Sequence, residues 1–240
     1  MKKITILFLI FTFSLMSFIS GCSDDDGDGP SGPSINPEDY SYYMVVSAID
    51  LQRSEYIITI TPMNNNVITS VEISINGVDV VMSNYMGMWS GLTEMDQGQA
   101  YQVEATINGN DHSLTINTPH IPIVDWPMNW VITEPTTISW TLTSNAEYQE
   151  FYATATDFTI WDENYEDLNN SDRSFTIPGN WVDPLLTDYY LMLMELNFSF
   201  DDDLIVSCMS VDEAAYGILE NMSVYDKIKI SKEIFKRIYN

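Results

Sequence analysis

Tyr101-Gln102-Val103-Glu104-Ala105-Thr106-Ile107-Asn108-Gly109-Asn110-Asp111-His112-Ser113-Leu114-Thr115-Ile116-Asn117 alternates apolar and polar residues on both sides of an Asn-Gly pair. Successive side chains of a strand point to opposite faces, so Tyr101, Val103, Ala105 and Ile107 share one face and Gln102, Glu104 and Thr106 the other. Asn108-Gly109 supplies the positive φ angles that a tight turn demands. The stretch is therefore a hairpin with one buried face.

Upstream, Val71, Ile73 and Ile75 alternate with Glu72, Ser74 and Asn76 and run into a second pair, Asn76-Gly77. With Met44–Asp50 and Tyr56–Thr61 added, residues 40–119 predict about seven short strands, the pattern of an N-terminal β-sandwich. Pro119, Pro122 and Pro127 punctuate a boundary near residue 120. Beyond it, Thr137–Leu142 is a strand with Ile138, Trp140 and Leu142 inward. Gln149–Thr156, Ser174–Ile177 and Thr187–Phe198 follow. Tyr189–Met194 is apolar on both faces, as in a central strand. The end of the chain has several readings: a helical turn over Asp212–Asn221 capped by Asp212, a closing strand over Val224–Ile230, and a short final helix. The last is favoured by Ile230, Ile234 and Ile238 at i, i+4 and i+8.

A tryptophan in an early strand (Trp140) and a Thr-x-Tyr opening a later one (Thr187, Tyr189) resemble the immunoglobulin or fibronectin type III sandwich, over roughly residues 121–231. The resemblance implies an all-β chain of tandem immunoglobulin-like sandwiches, the second spanning 120–240. No cysteine pair flanks Trp140, so a disulfide-stapled domain is excluded. Cys208, within Leu204–Met209, is expected to be a small buried hydrophobe.

The front of the chain has another character. Met1-Lys2-Lys3 precedes an apolar run from Ile4 to Ile19, too short at about 24 Å to cross a bilayer core of about 30 Å. Ile19-Ser20-Gly21-Cys22 resembles the lipobox of bacterial lipoproteins. That implies a signal peptide over residues 1–21 and acylation of Cys22, with the membrane as a partner through that lipid. Two or more acyl chains anchor stably where one does not. Ser23-Asp24-Asp25-Asp26 resembles the surface-export signal of Bacteroidota lipoproteins, which implies an outward-facing protein on the outer membrane. Residues 22–39 are rich in Asp, Gly, Pro and Ser and predict a disordered acidic tether with a root-mean-square reach of about 23 Å. Asp24, Asp26, Asp28 and Gly29 match the first half of an EF-hand loop, but its twelfth position is Ile35, where a bidentate Glu is required.

Nine basic residues face 35 acidic ones, for a formal net charge of −26. Between Ser23 and Asp226 only Arg53 and Arg173 are basic, while Lys227, Lys229, Lys232, Lys236 and Arg237 crowd the end. Nucleic acid is excluded as a partner, because phosphate binding needs clustered Lys and Arg over the body. The terminal bases are expected to dock on that acidic body, with acidic lipopolysaccharide as the alternative.

Catalytic motifs are sparse. His112 and His120 lack the paired spacing of a zinc site, no G-x-S-x-G elbow accompanies them, and neither a P-loop nor a G-x-G-x-x-G is present. No catalytic residue, metal ligand or cofactor is predicted. Trp126, Trp130, Trp161 and Trp181 fall in loop-like segments, where indole rings can contact a glycan or a protein. The expectation is a non-catalytic surface lipoprotein that binds such a ligand. The alternatives are a structural or assembly subunit of a surface complex and, with less support, a glycan hydrolase.

Overall fold

A computed structural model of the chain describes residues 39–50, 54–63, 66–85, 87–156, 161–186 and 188–216, together with 232, 236 and 237. The expectations for the signal peptide, Cys22 and the tether before residue 39 lie outside the described residues. So do those for Thr187, Val224–Ile230, Ile234 and Ile238.

Fifteen strands follow in order: β1 Tyr42–Asp50, β2 Glu55–Pro62, β3 Val71–Ile75, β4 Val78–Val80, β5 Ser83–Tyr85, β6 Met88–Glu94, β7 Ala100–Ile107, β8 Asn110–Asn117, β9 Ile123–Val124, β10 Thr136–Thr141, β11 Tyr148–Thr156, β12 Trp161–Leu168, β13 Ser174–Ile177, β14 Asp188–Asp201 and β15 Leu204–Tyr216. The β7–β8 hairpin forms as its alternation dictates, with Val103, Ala105, Ile107, Leu114 and Ile116 buried. Its turn residue Asn108 has φ 53°. The Asn108 carboxamide is also a staple. Its Oδ1 accepts from Thr69 N at 2.7 Å and Thr69 Oγ1 at 2.9 Å, and its Nδ2 donates to Val67 O at 2.8 Å.

The strands form three sheets, ordered β12-β11-β14-β15-β1-β2-β6-β5, β4-β3-β7-β8 and β13-β10-β9. Two immunoglobulin-type strand sets are contained in this order. In the first, β1, β2, β6 and β5 take the A, B, E and D places, opposite β3, β7 and β8 in the C, F and G places. In the second, β9, β10 and β13 are A, B and E, opposite β11, β14 and β15 as C, F and G. The fold is all-β, with two such sandwiches in tandem.

The sandwiches are not separate layers of sheet. β15, last strand of the second, pairs in parallel with β1, first strand of the first, so one eight-stranded sheet serves both. Residues opposite each other in a ladder share a face. Tyr42, Met44 and Val46 therefore face the same way as their partners Leu204, Val206 and Cys208, and all six lie in the first sandwich's core with Ile73, Val103 and Ile116. Leu191 and Leu193 of β14 face the same side and pack with Ile138, Trp140 and Ile177 of the small sheet. Both smaller sheets thus cover one face of the large one. Side chains of β14 also satisfy the edge of β8: Asn197 Nδ2 donates to Asn117 O at 2.9 Å and Ser199 Oγ to Thr115 O at 3.0 Å. An unpaired edge is a pairing hazard, and here it is closed from within.

The helical turn expected from Asp212 is replaced by strand. β15 continues to Tyr216, in register with β14 from Asp201↔Leu204 to Tyr189↔Tyr216. Ladder pairing outweighs the weak strand preference of Asp212-Glu213-Ala214-Ala215. Cys208 is buried, and burial first, then the Glu147 carboxylate, push its thiol pKa up.

Candidate binding site

The predicted ligand-contacting tryptophans fall on the second sandwich. Three of them gather around its core. Trp181 stacks on Phe151 at 5.6 Å between ring centroids and an interplanar angle of 20°, and Trp126 lies 6.2 Å from the same ring. Trp130 meets Tyr189 edge-on at 5.7 Å and Tyr216 at 6.0 Å. All three are partly buried and pack on the core. Trp161 opens β12 opposite Thr156; its side chain is outside the described residues.

Two loops hold these rings. Residues 125–135 join β9 to β10, and residues 178–187 join β13 to β14. Asp212 of β15 fixes the start of the first loop: its Oδ2 accepts from Val124 N at 2.7 Å and its Oδ1 from Trp126 Nε1 at 3.3 Å. The Tyr216 hydroxyl donates to Pro127 O at 2.8 Å. The second loop joins the first where Asn180 N donates to Ile132 O at 2.7 Å. Gly179 is required at that junction, because a Cβ there would stand 2.5 Å from Thr133 O. Tyr189, at the start of β14, donates its hydroxyl to Leu186 O and, at 3.4 Å, to Pro184 O. This is the tyrosine corner of immunoglobulin-type sandwiches, at the position Tyr189 was read to hold. The first sandwich has a counterpart the sequence reading missed: Tyr101, at the start of β7, accepts from Asp96 N at 2.6 Å.

So fixed, the loops leave Met128 93 %, Leu185 86 % and Val131 50 % exposed, while the indoles are partly buried. Three apolar side chains on two joined loops are thus open to contact, whereas the indoles are spent on the core. None of the three was singled out from sequence. The available signal was a methionine between Pro127 and Asn129 in a segment without period, and a leucine after Pro184.

The histidines are placed elsewhere. His112 points into the first sandwich, 3 % exposed, with Nδ1 3.8 Å from Asp201 Oδ2 and Nε2 3.6 Å from Asp203 Oδ1. Neither ring nitrogen makes a hydrogen bond among the described residues. A groove of about 450 Å³ beside it is lined by Glu104, Thr106, Asp111, Asp201 and Asp202. His120 lies against Gly98. Among the described residues no three His, Cys, Asp or Glu side chains converge to hold a metal ion. Cationic side chains touch the outer face of the large sheet instead. Arg237 pairs with Glu150, lies 3.7 Å from Asp167 and sits 3.5 Å above the Tyr165 ring. Burial raises the Glu150 carboxyl to about 8 in spite of Arg237.

No protein-family model matches the chain, and no curated protein is similar to it in sequence. Among solved structures the chain is similar to fibronectin(III)-like modules of Clostridium thermocellum CbhA, at 14 % identity over 75 % of this chain and 93 % of that one, with a TM-score of 0.21. It is also similar to the central fibronectin-III array of RIM-binding protein, at 15 % identity over 80 % and 73 % of the two chains and a TM-score of 0.24. For the FN1–FN3 domains of chicken CNTN1 the values are 15 %, 78 %, 66 % and 0.27. Likeness at this level is silent on ligand and activity. The assignment to immunoglobulin-type sandwiches stands on the strand order.

Proposed function

We propose that this chain is a non-catalytic binding module, held by lipid at Cys22 on the outer face of the outer membrane. It meets a glycan or protein ligand with the loop end of its second sandwich. The observation that carries the reading is the exposure of Met128, Val131 and Leu185 on loops braced by Asp212, Tyr216 and Asn180. A rigid apolar surface loses little conformational freedom on contact, which favours affinity. The lipobox resemblance and the acidic tether supply the anchor and the stand-off. Assembly through an open sheet edge is the less favoured reading, since the edge strand β12 carries Asp162, Glu163, Glu166 and Asp167, and charge on an edge opposes pairing.

Two measurements test it. Metabolic labelling with an alkyne fatty acid should tag the wild type and miss Cys22→Ser. Glycan-array and pull-down binding should be lost in Met128→Asp/Leu185→Asp, whose exposed positions leave the core untouched. Binding that persists in the double variant removes the loop end from the reading, and an untagged wild type removes the anchor.

A further inference from the structure

The second face of the eight-stranded sheet has no sheet packed on it among the described residues, yet it is buried. Tyr43 and Val45 of β1, Tyr152 of β11, Met192, Met194, Leu196 and Phe198 of β14, and Ile205 and Met209 of β15 form one apolar cluster there, none more than 6 % exposed. Both smaller sheets lie on the opposite face, so the cover comes from elsewhere in the chain. The described residues beyond Tyr216 are Lys232, Lys236 and Arg237, all helical. Two of them touch the rim of this face on opposite sides. Lys232 Nζ donates to Pro62 O at 3.1 Å and lies 5.6 Å from the Tyr43 ring centre, on the β1–β2 side. Arg237 holds Glu150 and Asp167 on the β11–β12 side.

We propose that this face is the docking site for the chain's own last segment, residues 217–240, which binds it as a tethered ligand. Geometry fits. If one helix carried both residues, the five steps from Lys232 to Arg237 would rise about 7.5 Å and turn the two side chains about 140° apart. The β1-to-β11 span of three strand spacings is about 14 Å. A helix lying over β14–β15 thus reaches both rims with one lysine and one arginine. Charge fits as well: the bases of the chain concentrate in this segment, and the rim it meets includes Glu150, Glu163 and Asp167. The sequence of the same segment also contains Ile228, Ile230, Ile234, Phe235 and Ile238, apolar residues of the kind that suit a methionine-rich stripe.

The test uses the whole folded chain with a protease site placed between Gly217 and Glu220. After cleavage the terminal fragment should co-elute with the body, and a labelled synthetic 217–240 peptide should exchange into it at a rate independent of protein concentration. A peptide carrying Arg237→Glu should compete on the order of a hundredfold less well, because it removes the guanidinium from Glu150, Asp167 and the Tyr165 ring and sets a carboxylate there instead. Three results overturn the proposal: immediate release of the fragment from a body that stays monomeric and binds no hydrophobic dye, equal competition by the Arg237→Glu peptide, or cross-linking that joins the segment of one molecule to the Glu150 face of another.

Discussion

Tyr42 stands directly opposite Leu204 in the parallel pairing of β1 with β15, and both side chains enter the core of the first sandwich. The first strand of one sandwich and the last strand of the other are therefore a single packing unit. Val206, far along the chain from β3 and β7, is fully buried with them. Val206→Ala should cost about 2 kcal/mol by the cavity it leaves. In hydrogen exchange, amides of β3 and β7 should speed up together with those of β14. Acceleration confined to β14 and β15 would show that the sandwiches open independently.

The two tyrosine corners should behave alike. Tyr101→Phe and Tyr189→Phe each remove one hydroxyl bonded to backbone and leave ring packing intact, so each should lower unfolding stability by about 1 kcal/mol in denaturant titration. A double variant should lose the sum, because the two corners lie in different sandwiches.

Asn108 combines a left-handed turn with hydrogen bonds that fix the segment entering β3. Asn108→Gly keeps the turn and drops the bonds; Asn108→Ala loses both. The alanine variant should be destabilised by about 2 kcal/mol and the glycine variant by less. Equal losses would assign the whole effect to the side-chain bonds.

Stability should depend on pH through two buried carboxyls. Burial lifts Glu150 to about 8 and Glu195 to about 7, the latter against opposing hydrogen bonds from Gln149 and the Ala146 backbone. A carboxyl with a raised folded pKa binds its proton more tightly in the folded state. Its contribution is therefore full below the unfolded value of about 4.5 and is lost as pH rises through the folded value. Stability should fall from about pH 4.5 to 8 through Glu150 and to 7 through Glu195. Glu195→Gln should flatten the lower part of that slope in thermal melts, while Glu150→Gln should flatten it throughout. Slopes identical to wild type would contradict this account of the burial.

The hairpin at Tyr101–Asn117 was legible because its information is local: a period of two and an Asn-Gly turn. Trp140 and Tyr189 were legible for the same reason. The shared sheet was not, since Tyr42 and Leu204 are brought together by a parallel pairing that leaves no mark on either segment. Asp212 looked like a helix cap because its role, holding Val124 and Trp126, depends on partners far away in sequence. At the loop end the aromatics were visible but their orientation was not. Core contacts took up Trp126, Trp130 and Trp181 and left Met128 and Leu185 outside, a choice made by bonds between two loops.

The position of β1 has a mechanical consequence. It is the first strand after residue 39 and lies in the interior of the eight-stranded sheet, flanked by β15 and β2. Tension along the preceding residues enters the fold along that strand's axis and loads the ladders on both flanks in shear, many bonds at once. A pull on the chain at residue 39 would be borne by the joint between the two sandwiches before it could peel any edge.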